Sequence, residues 1–585
     1  MRKLLVFLTA ALFCGSLYIV PSRAAPSAPQ VNPYRTVALG YVVLQNGDLY
    51  QWTPDDTVDA GSSLKKVEGI SNVVDLSVQV DQGSHAPKSV AAVTAGGSLY
   101  TWGDNSEGVL ALGDTTDRAA PTKVDLDNVI SVRLGTYHNG AALTAGGDMY
   151  VWGLQYNGDD RNYRPTYRKV LKPEKVKSLS NVVSIGCGGH DEYANYGAVT
   201  ASGDLYTWGI DDYGVNGYPT DQSSKTPRKI LENVQSVELG RMTGSAITKD
   251  GSLYTWGVES WGAPTTETGH TPRKVEIPPV KFATIGEMFY MAAITTDGQL
   301  YMWGNAKIDR DDSGFNESSP TLITYDGGKA ASASLGWGYS QLVTEDGDLY
   351  IWGLNRIYKH GEIGPLLVSA RTPTFLMAGV KVPGQAAGSL DHFATLPRRE
   401  YRENQFTDVD ETKWYGAGQQ GTVKQAYELG LIDGMGDGTF APEGSLRLSE
   451  AIKLACAVHS VYTGDAMEFP AAAPWYGPYV TYAITSGIIQ LGDFDDYTAT
   501  ATRAQMAYLF ANALPADQLP AAPGALIPPD VADGDPYAAQ IRRLYQAGVL
   551  QGDDASGAFH GGQSITRAQA AAIIARLALP SQRLA

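Results

Sequence analysis

Cysteine is nearly absent from this 585-residue chain: Cys14, Cys187 and Cys456 are the whole set. Cys14 falls in an N-terminal segment that reads as removed on export, which leaves two thiols in different predicted domains and no disulfide framework. A protein of this kind placed outside a cell depends on its core, and a hydrophobic content of 43% is enough to build one. Positive charge is also scarce: 45 basic residues face 62 acidic ones, for a net charge of −17. Nucleic-acid binding by phosphate attraction is therefore not expected, nor is adsorption to anionic lipid. Catalytic signatures are missing too. There is no His-Glu-x-x-His, Gly-x-Ser-x-Gly, phosphate-loop Gly-Lys-Ser/Thr or Cys-x-x-Cys, and the eight histidines are scattered. The expectation is a chain that is not an enzyme and uses no metal or cofactor. Asp309-Arg310-Asp311-Asp312 lacks the alternating oxygen ligands of a calcium loop and reads as a solvated turn.

Long hydrophobic runs occur only at the N-terminus. Arg2 and Lys3 precede a mostly apolar stretch from Leu4 to Val20, and Ser22 and Ala24 occupy the small-residue positions of a cleavage site. Residues 1–24 are read as a signal peptide rather than a retained anchor, because Cys14-Gly15-Ser16 breaks the apolar run. Lipid attachment at Cys14 is disfavoured by the bulky Phe13 before it. With no later membrane span, retention at a cell surface requires another device.

What the chain does have is repetition. A Leu/Met-Tyr-x-Trp string recurs seven times, ending at Trp52, Trp102, Trp152, Trp208, Trp256, Trp303 and Trp352, with spacings of 47 to 56 residues. A turn pair precedes each copy, from Asn46-Gly47 to Asp346-Gly347, and supplies the positive φ of a tight hairpin. Each unit reads as strand, turn, aromatic strand and variable loop. One such unit cannot bury both faces of its sheet, so a period near fifty implies stacked blades or a solenoid. Residues 34–396 resemble the RCC1 repeat family, on the Trp-Gly strands together with Gly135-Thr136-Tyr137-His138 and Gly388-Ser389-Leu390-Asp391-His392. The resemblance implies an all-β, seven-bladed propeller. The last element, which lacks a Trp strand, is expected to complete the blade begun at the N-terminus. The Tyr and Trp of the motif read as inter-blade packing. Binding of a protein or glycan is assigned instead to loops such as Leu154–Tyr167, Ile210–Thr226 and Asn305–Ser319.

Beyond a charged linker, 397–404, the periodicity becomes helical and a three-fold repeat appears. Phe406-Thr407-Asp408-Val409, Trp414-Tyr415, Gly430 to Gly434 and Gly438-Thr439-Phe440-Ala441-Pro442 mark the first unit. The second has Trp475-Tyr476 and Thr502-Arg503-Ala504-Gln505; the third has Asp530-Val531 and Thr566-Arg567-Ala568-Gln569. These units, 405–460, 469–514 and 528–579, resemble S-layer homology (SLH) domains. That resemblance implies an α-helical three-pronged module binding secondary cell-wall polysaccharide, often through acidic pyruvylated sugars, in grooves between the prongs. Carried onto this chain, the glycan-binding residues are Asp408, Trp414, Gly434, Glu450, Trp475, Arg503, Gln505, Arg567 and Gln569. Arg503 and Arg567 offer a fixed multi-donor cation for an acidic sugar, and Trp414 and Trp475 an apolar platform. Leu448 stands where the first unit should carry its Arg, and Pro536 where the third should carry its Trp, so at most two grooves keep the Arg.

The whole chain is thus expected to be a secreted bacterial cell-wall protein that displays a propeller. An extracellular carbohydrate-active enzyme with its site on the propeller loops is the alternative. Guanine-nucleotide exchange, by analogy with eukaryotic relatives of the propeller, needs an intracellular GTPase and fits the export signal poorly.

Overall fold

A computed structural model describes residues 35–585, apart from isolated positions and segments 53–63, 81–86, 190–193, 259–269, 287–289, 307–314, 337–339, 353–357, 360–361, 364–372, 383–388, 465–473 and 523–526. The signal-peptide reading (1–24) and Asp309–Asp312 therefore lie outside the described residues, as does Ala471, which stands in the second repeat where the first has Asp408.

Seven four-stranded antiparallel sheets follow one another in chain order. Blade 1 consists of Val37–Ala38, Tyr41–Val43, Leu49–Trp52 and Leu64–Lys66. Blade 7 consists of Ala330–Leu335, Ser340–Thr344, Leu349–Trp352 and Thr374–Met377. The turn signals act as the sequence indicates: all seven turn glycines, Gly47 to Gly347, have φ between 75° and 91°. The Trp strand is third in every blade. In blades 3 and 5 its indole lies across a glycine of the second strand, so that a Cβ on Gly140 would meet Trp152 at 2.4 Å and one on Gly244 would meet Trp256 at 2.2 Å. Each of these indoles donates into the preceding blade, Trp152 Nε1 to Val109 O at 2.6 Å and Trp256 Nε1 to Val215 O at 2.7 Å. A repeated Trp is thus the joint between neighbouring blades.

Ring closure differs from expectation. Gly388 lies outside the described residues, and Ser389–His392 adds no strand; Asp391–Thr395 is a short helix whose His392 Nδ1 bonds Tyr462 O at 2.8 Å, on the helical side of the molecule. The closing segment lies earlier. Val380 N bonds Gly347 O at 3.0 Å, as Val129 N bonds Gly97 O at 2.9 Å between blades 2 and 3. Val380 also bridges Leu44, and Lys381 N bonds Val43 O at 2.9 Å. Residues 379–381 therefore occupy the place where a next blade would begin, and they land on blade 1. Two of the expected variable loops contain strand among their described residues. In blade 3 the outer strands extend into a hairpin, Met149–Asp159 against Pro165–Lys175, and in blade 6 Leu300–Ala306 pairs with Phe315–Ile323.

At the channel the inner strands are tied by one carboxylate. Asp75 accepts from Arg35 N at 2.9 Å, Ser131 Oγ at 3.0 Å, Val132 N at 2.9 Å and Arg133 Nη1 at 2.9 Å. Both members of the Asp75–Arg133 pair are almost fully buried, and the pair is tolerated because the carboxylate's lone pairs are satisfied.

The C-terminal region contains three short helices, Thr422–Glu428, Gly477–Thr485 and Ala538–Gln546, and three long ones, Leu448–Thr463, Arg503–Asn512 and Arg567–Ala578. Pairing is cyclic rather than internal to a repeat. The long helix of repeat 1 packs on the short helix of repeat 2, that of repeat 2 on repeat 3, and that of repeat 3 on repeat 1. Three bridges, Arg447–Thr500, Thr502–Ser564 and Ser445–Thr566, join the repeats just before the long helices begin. The helix Asp391–Thr395 packs on Leu448–Thr463 at the end of the connection from the propeller, and Gly477–Thr485 meets the propeller directly, its buried Thr481 lying 2.8 Å from where a Cβ on Gly97 would stand.

Candidate functional site: the inter-repeat grooves

The cyclic pairing gives every groove parts from three repeats. A residue at the N-terminus of one long helix reaches the loop of the next repeat, which lies beside that repeat's own long helix and the short helix of the repeat after it. Arg567, from repeat 3, donates through Nε to Phe440 O at 2.7 Å and through Nη2 to Asp433 O at 2.8 Å, both in the loop of repeat 1. Arg503, from repeat 2, repeats the arrangement on repeat 3: Nε to Phe559 O at 2.8 Å and Nη2 to Gln551 O at 3.3 Å. Both guanidiniums also lie over an aromatic ring, Arg503 at 4.9 Å from the Phe559 centroid and Arg567 at 4.8 Å from that of Phe440. Burial pushes both arginines below their ordinary pKa; Asp553 and Asp530 oppose this at Arg503, and Glu450, Asp408 and Asp433 at Arg567. Nη1 of each arginine takes no part in these bonds.

Several predicted residues build the walls of the grooves. Asp408 accepts from Phe440 N and Ala441 N, each at 2.7 Å, and Asp530 does the same for Phe559 N and His560 N, again at 2.7 Å. Gly434 is needed for close approach, since a Cβ there would stand 2.5 Å from the Phe406 ring. Gln505 and Gln569 close capping boxes: their side chains accept from Thr502 N at 2.9 Å and Thr566 N at 3.0 Å, while the two Thr hydroxyls accept from Gln505 N and Gln569 N. Glu450 bonds Arg447 N at 2.7 Å, but Arg447 has no side-chain oxygen to return the bond, so this box is half made. One side-chain oxygen of each of these three expected sugar contacts is committed to a helix end.

The tryptophans stand apart from this scaffold. Trp414 is 39% exposed and Trp475 is 48% exposed, where Trp152 and Trp256 are fully buried. Trp475 lies edge-on to Tyr479 at 6.0 Å, and Lys453 Nζ sits 5.8 Å from the Tyr479 ring. Arg567 sits on the loop of repeat 1, and the Trp475–Tyr479 pair lies at the start of the short helix that packs on repeat 1's long helix, so both face repeat 1. Tyr479 and Lys453 were missed from sequence. The only signal was helical spacing, Tyr479 lying one turn beyond Tyr476. Asp433 also meets the linker, through Arg399 Nη1 at 2.6 Å.

Residues 405–452 and 529–571 match the S-layer homology domain family, and residues 96–142 match the Regulator of chromosome condensation (RCC1) repeat. The chain joins an RCC1-repeat propeller to SLH domains. Among curated proteins it is 28% identical over 205 residues to the human E3 ubiquitin-protein ligase HERC2, covering 32% of this chain and 4% of that protein. It is 29% identical over 161 residues to the Ultraviolet-B receptor UVR8 of Arabidopsis thaliana, covering 26% of this chain and 34% of the receptor. The chain thus spans well under half the length of these relatives. Among solved structures, Prp20p from Saccharomyces cerevisiae aligns with TM-score 0.45 and 19% identity over 58% of this chain and 87% of its own. Human WBSCR16 aligns with TM-score 0.44 and 18% identity over 55% of this chain and 86% of its own. The seven-bladed assignment rests on the sheet order itself. The SLH domains point to a cell-wall or cell-surface location in bacteria and to binding of a wall component.

The propeller offers a second, smaller candidate. A cavity of about 100 Å³ opens in its channel, lined among others by Arg35, Gln79, Arg133, Cys187, Glu238 and Arg241. Arg35 pairs with Glu238 there. Among the described residues no helix is long and apolar enough to cross a membrane.

Proposed function

We propose that this protein is a non-catalytic display protein of the bacterial cell surface, exported by its N-terminal segment. Its SLH module holds acidic secondary cell-wall polysaccharide without a covalent bond, and its propeller presents a surface to a protein or glycan partner. The observation that carries this reading is the juxtaposition of a loop-anchored guanidinium with an exposed aromatic platform. Arg567 is fixed by two carbonyls, which leaves Nη1 for an acidic substituent, and Trp475 and Tyr479 offer a face for the sugar ring. Carboxylates such as Asp433 and Asp553 accept from sugar hydroxyls. The contact between Thr481 and Gly97 gives the two halves a set orientation, so attachment through the module orients the propeller.

The test is sedimentation of the full chain with native wall sacculi and with sacculi stripped of secondary polysaccharide by acid. Co-sedimentation with native sacculi alone is expected. Equal binding to both, or to neither, contradicts the glycan reading.

A further inference from the structure

The three grooves are not equivalent, and the cyclic packing explains how the chain's departures from its own repeat add up. Leu448 belongs to repeat 1 and Pro536 to repeat 3, and in sequence they look like two unrelated losses. In the fold they meet. Leu448 heads the long helix that faces the loop of repeat 2, with Leu448 N bonding Ala499 O at 2.9 Å, just as Arg503 N bonds Gln563 O at 2.8 Å and Arg567 N bonds Gly444 O at 2.9 Å. The short helix bordering that groove comes from repeat 3 and follows Pro536-Tyr537. One groove thus lacks both the arginine and the tryptophan.

It is also filled. Tyr508 on the long helix of repeat 2 donates its hydroxyl to Asp493 of the loop. Tyr537 lies on the Tyr508 ring with centroids 4.7 Å apart, and Phe494 meets Tyr508 edge-on at 6.2 Å. Tyr497 continues the cluster at 6.4 Å from Phe494. The corresponding place in the Arg567 groove holds Lys453 and the half-exposed Trp475–Tyr479 pair. Tyr508 thus spends its hydroxyl on a carboxylate of the protein itself. Aromatic side chains of the protein itself take the space where a sugar would stack.

We infer that the module is a two-site anchor: the grooves headed by Arg503 and Arg567 each take one acidic glycan segment, and the Leu448 groove is closed by Tyr508 and Tyr537. This rests on the wall-glycan reading above. Two sites on one rigid module engage one polymer or two neighbouring strands, and retention exceeds what either groove supplies alone. Because Trp475 follows repeat 1's long helix and Trp414 precedes the short helix on repeat 3's long helix, each tryptophan reports a different groove: Trp475 the Arg567 groove, Trp414 the Arg503 groove.

The experiment is calorimetric titration of the full chain with polysaccharide fragments released from sacculi by mild acid. Variants are Trp414→Ala, Trp475→Ala, the double variant and Pro536→Ala. All three positions are exposed or half-exposed, so folding should be kept, and unchanged thermal melts check it. Two sites per chain are expected for the wild type and for Pro536→Ala, one for each single Trp variant and none for the double. A wild-type count of one or three, single Trp variants that keep both sites, or a Pro536→Ala variant that loses one would overturn the two-site assignment and leave the glycan reading intact. Absence of heat with every protein, together with no sedimentation on native sacculi, would overturn both.

Discussion

Propeller and helical module are both repeat structures, yet their repeated residues behave differently. In the propeller the repeated Trp is consumed by packing: Trp152 and Trp256 are fully buried and donate into the preceding blade. In the helical module the repeated residues split. Asp408, Glu450, Gln505 and Gln569 hold loops and helix ends, whereas Trp414 and Trp475 keep a large exposed face. Repetition alone therefore does not distinguish a packing residue from a candidate binding residue, whereas exposure does. The two regions also fail differently. Loss of a propeller joint affects one ring, while loss of a groove residue acts on a site shared by three repeats.

The largest effect expected from breaking this comparison is at Asp75. Its replacement by Ala leaves buried Arg133 without its carboxylate and should lower propeller stability by about 3–5 kcal/mol. Denaturant unfolding followed by the buried tryptophans measures it, and wall binding by the module should persist in the folded fraction. A loss under 1 kcal/mol on the same scale would show that the channel network is dispensable.

A smaller effect, of opposite sign at different repeats, sharpens the contrast. Thr566→Ala removes a helix-capping acceptor and should cost about 1 kcal/mol, whereas Arg447→Thr supplies the acceptor that repeat 1 lacks and should add about 0.5–1 kcal/mol. Thermal melts of the two variants give the answer, and equal shifts would disprove the half-made box.

The smallest effect is on pH. Burial pushes the Asp530 carboxyl up, but the N–H groups of Phe559 and His560 outweigh it and the folded pKa lies below the ordinary value. A depressed folded pKa stabilises above the unfolded pKa, and the contribution is lost as pH falls through the folded one. The Asp530 contribution to stability should therefore be complete from pH 7 down to about 4 and be lost below. Asp530→Asn should be less stable at neutral pH and show less of that acid decline; identical acid profiles would exclude the clamp.

Much of this architecture was legible because it is local. Turn glycines, aromatic strands and capping-box spacing are all written within a few residues, and every turn glycine adopts the positive φ that its dipeptide implies. Contacts made across the chain were not legible. The closing segment was placed near Gly388, yet Val380 makes the bridge, because ring closure is set by geometry over more than three hundred residues and no local motif encodes it. Arg503 and Gln505 both read as sugar contacts, but they separate into a loop anchor (Arg503) and part of the cap that Thr502 heads (Gln505), since a helix start and a groove coincide there. That Leu448 and Pro536 share a groove follows only from the cyclic pairing of helices.

The most direct test of the central claim is sedimentation of the full chain and of the Trp414→Ala/Trp475→Ala double variant on native sacculi, with Trp152→Phe as the propeller control. The account predicts that the double variant stays in the supernatant while Trp152→Phe, though less stable, still pellets with the wall. A double variant that pellets like the wild type would contradict the assignment of the exposed tryptophans to wall binding.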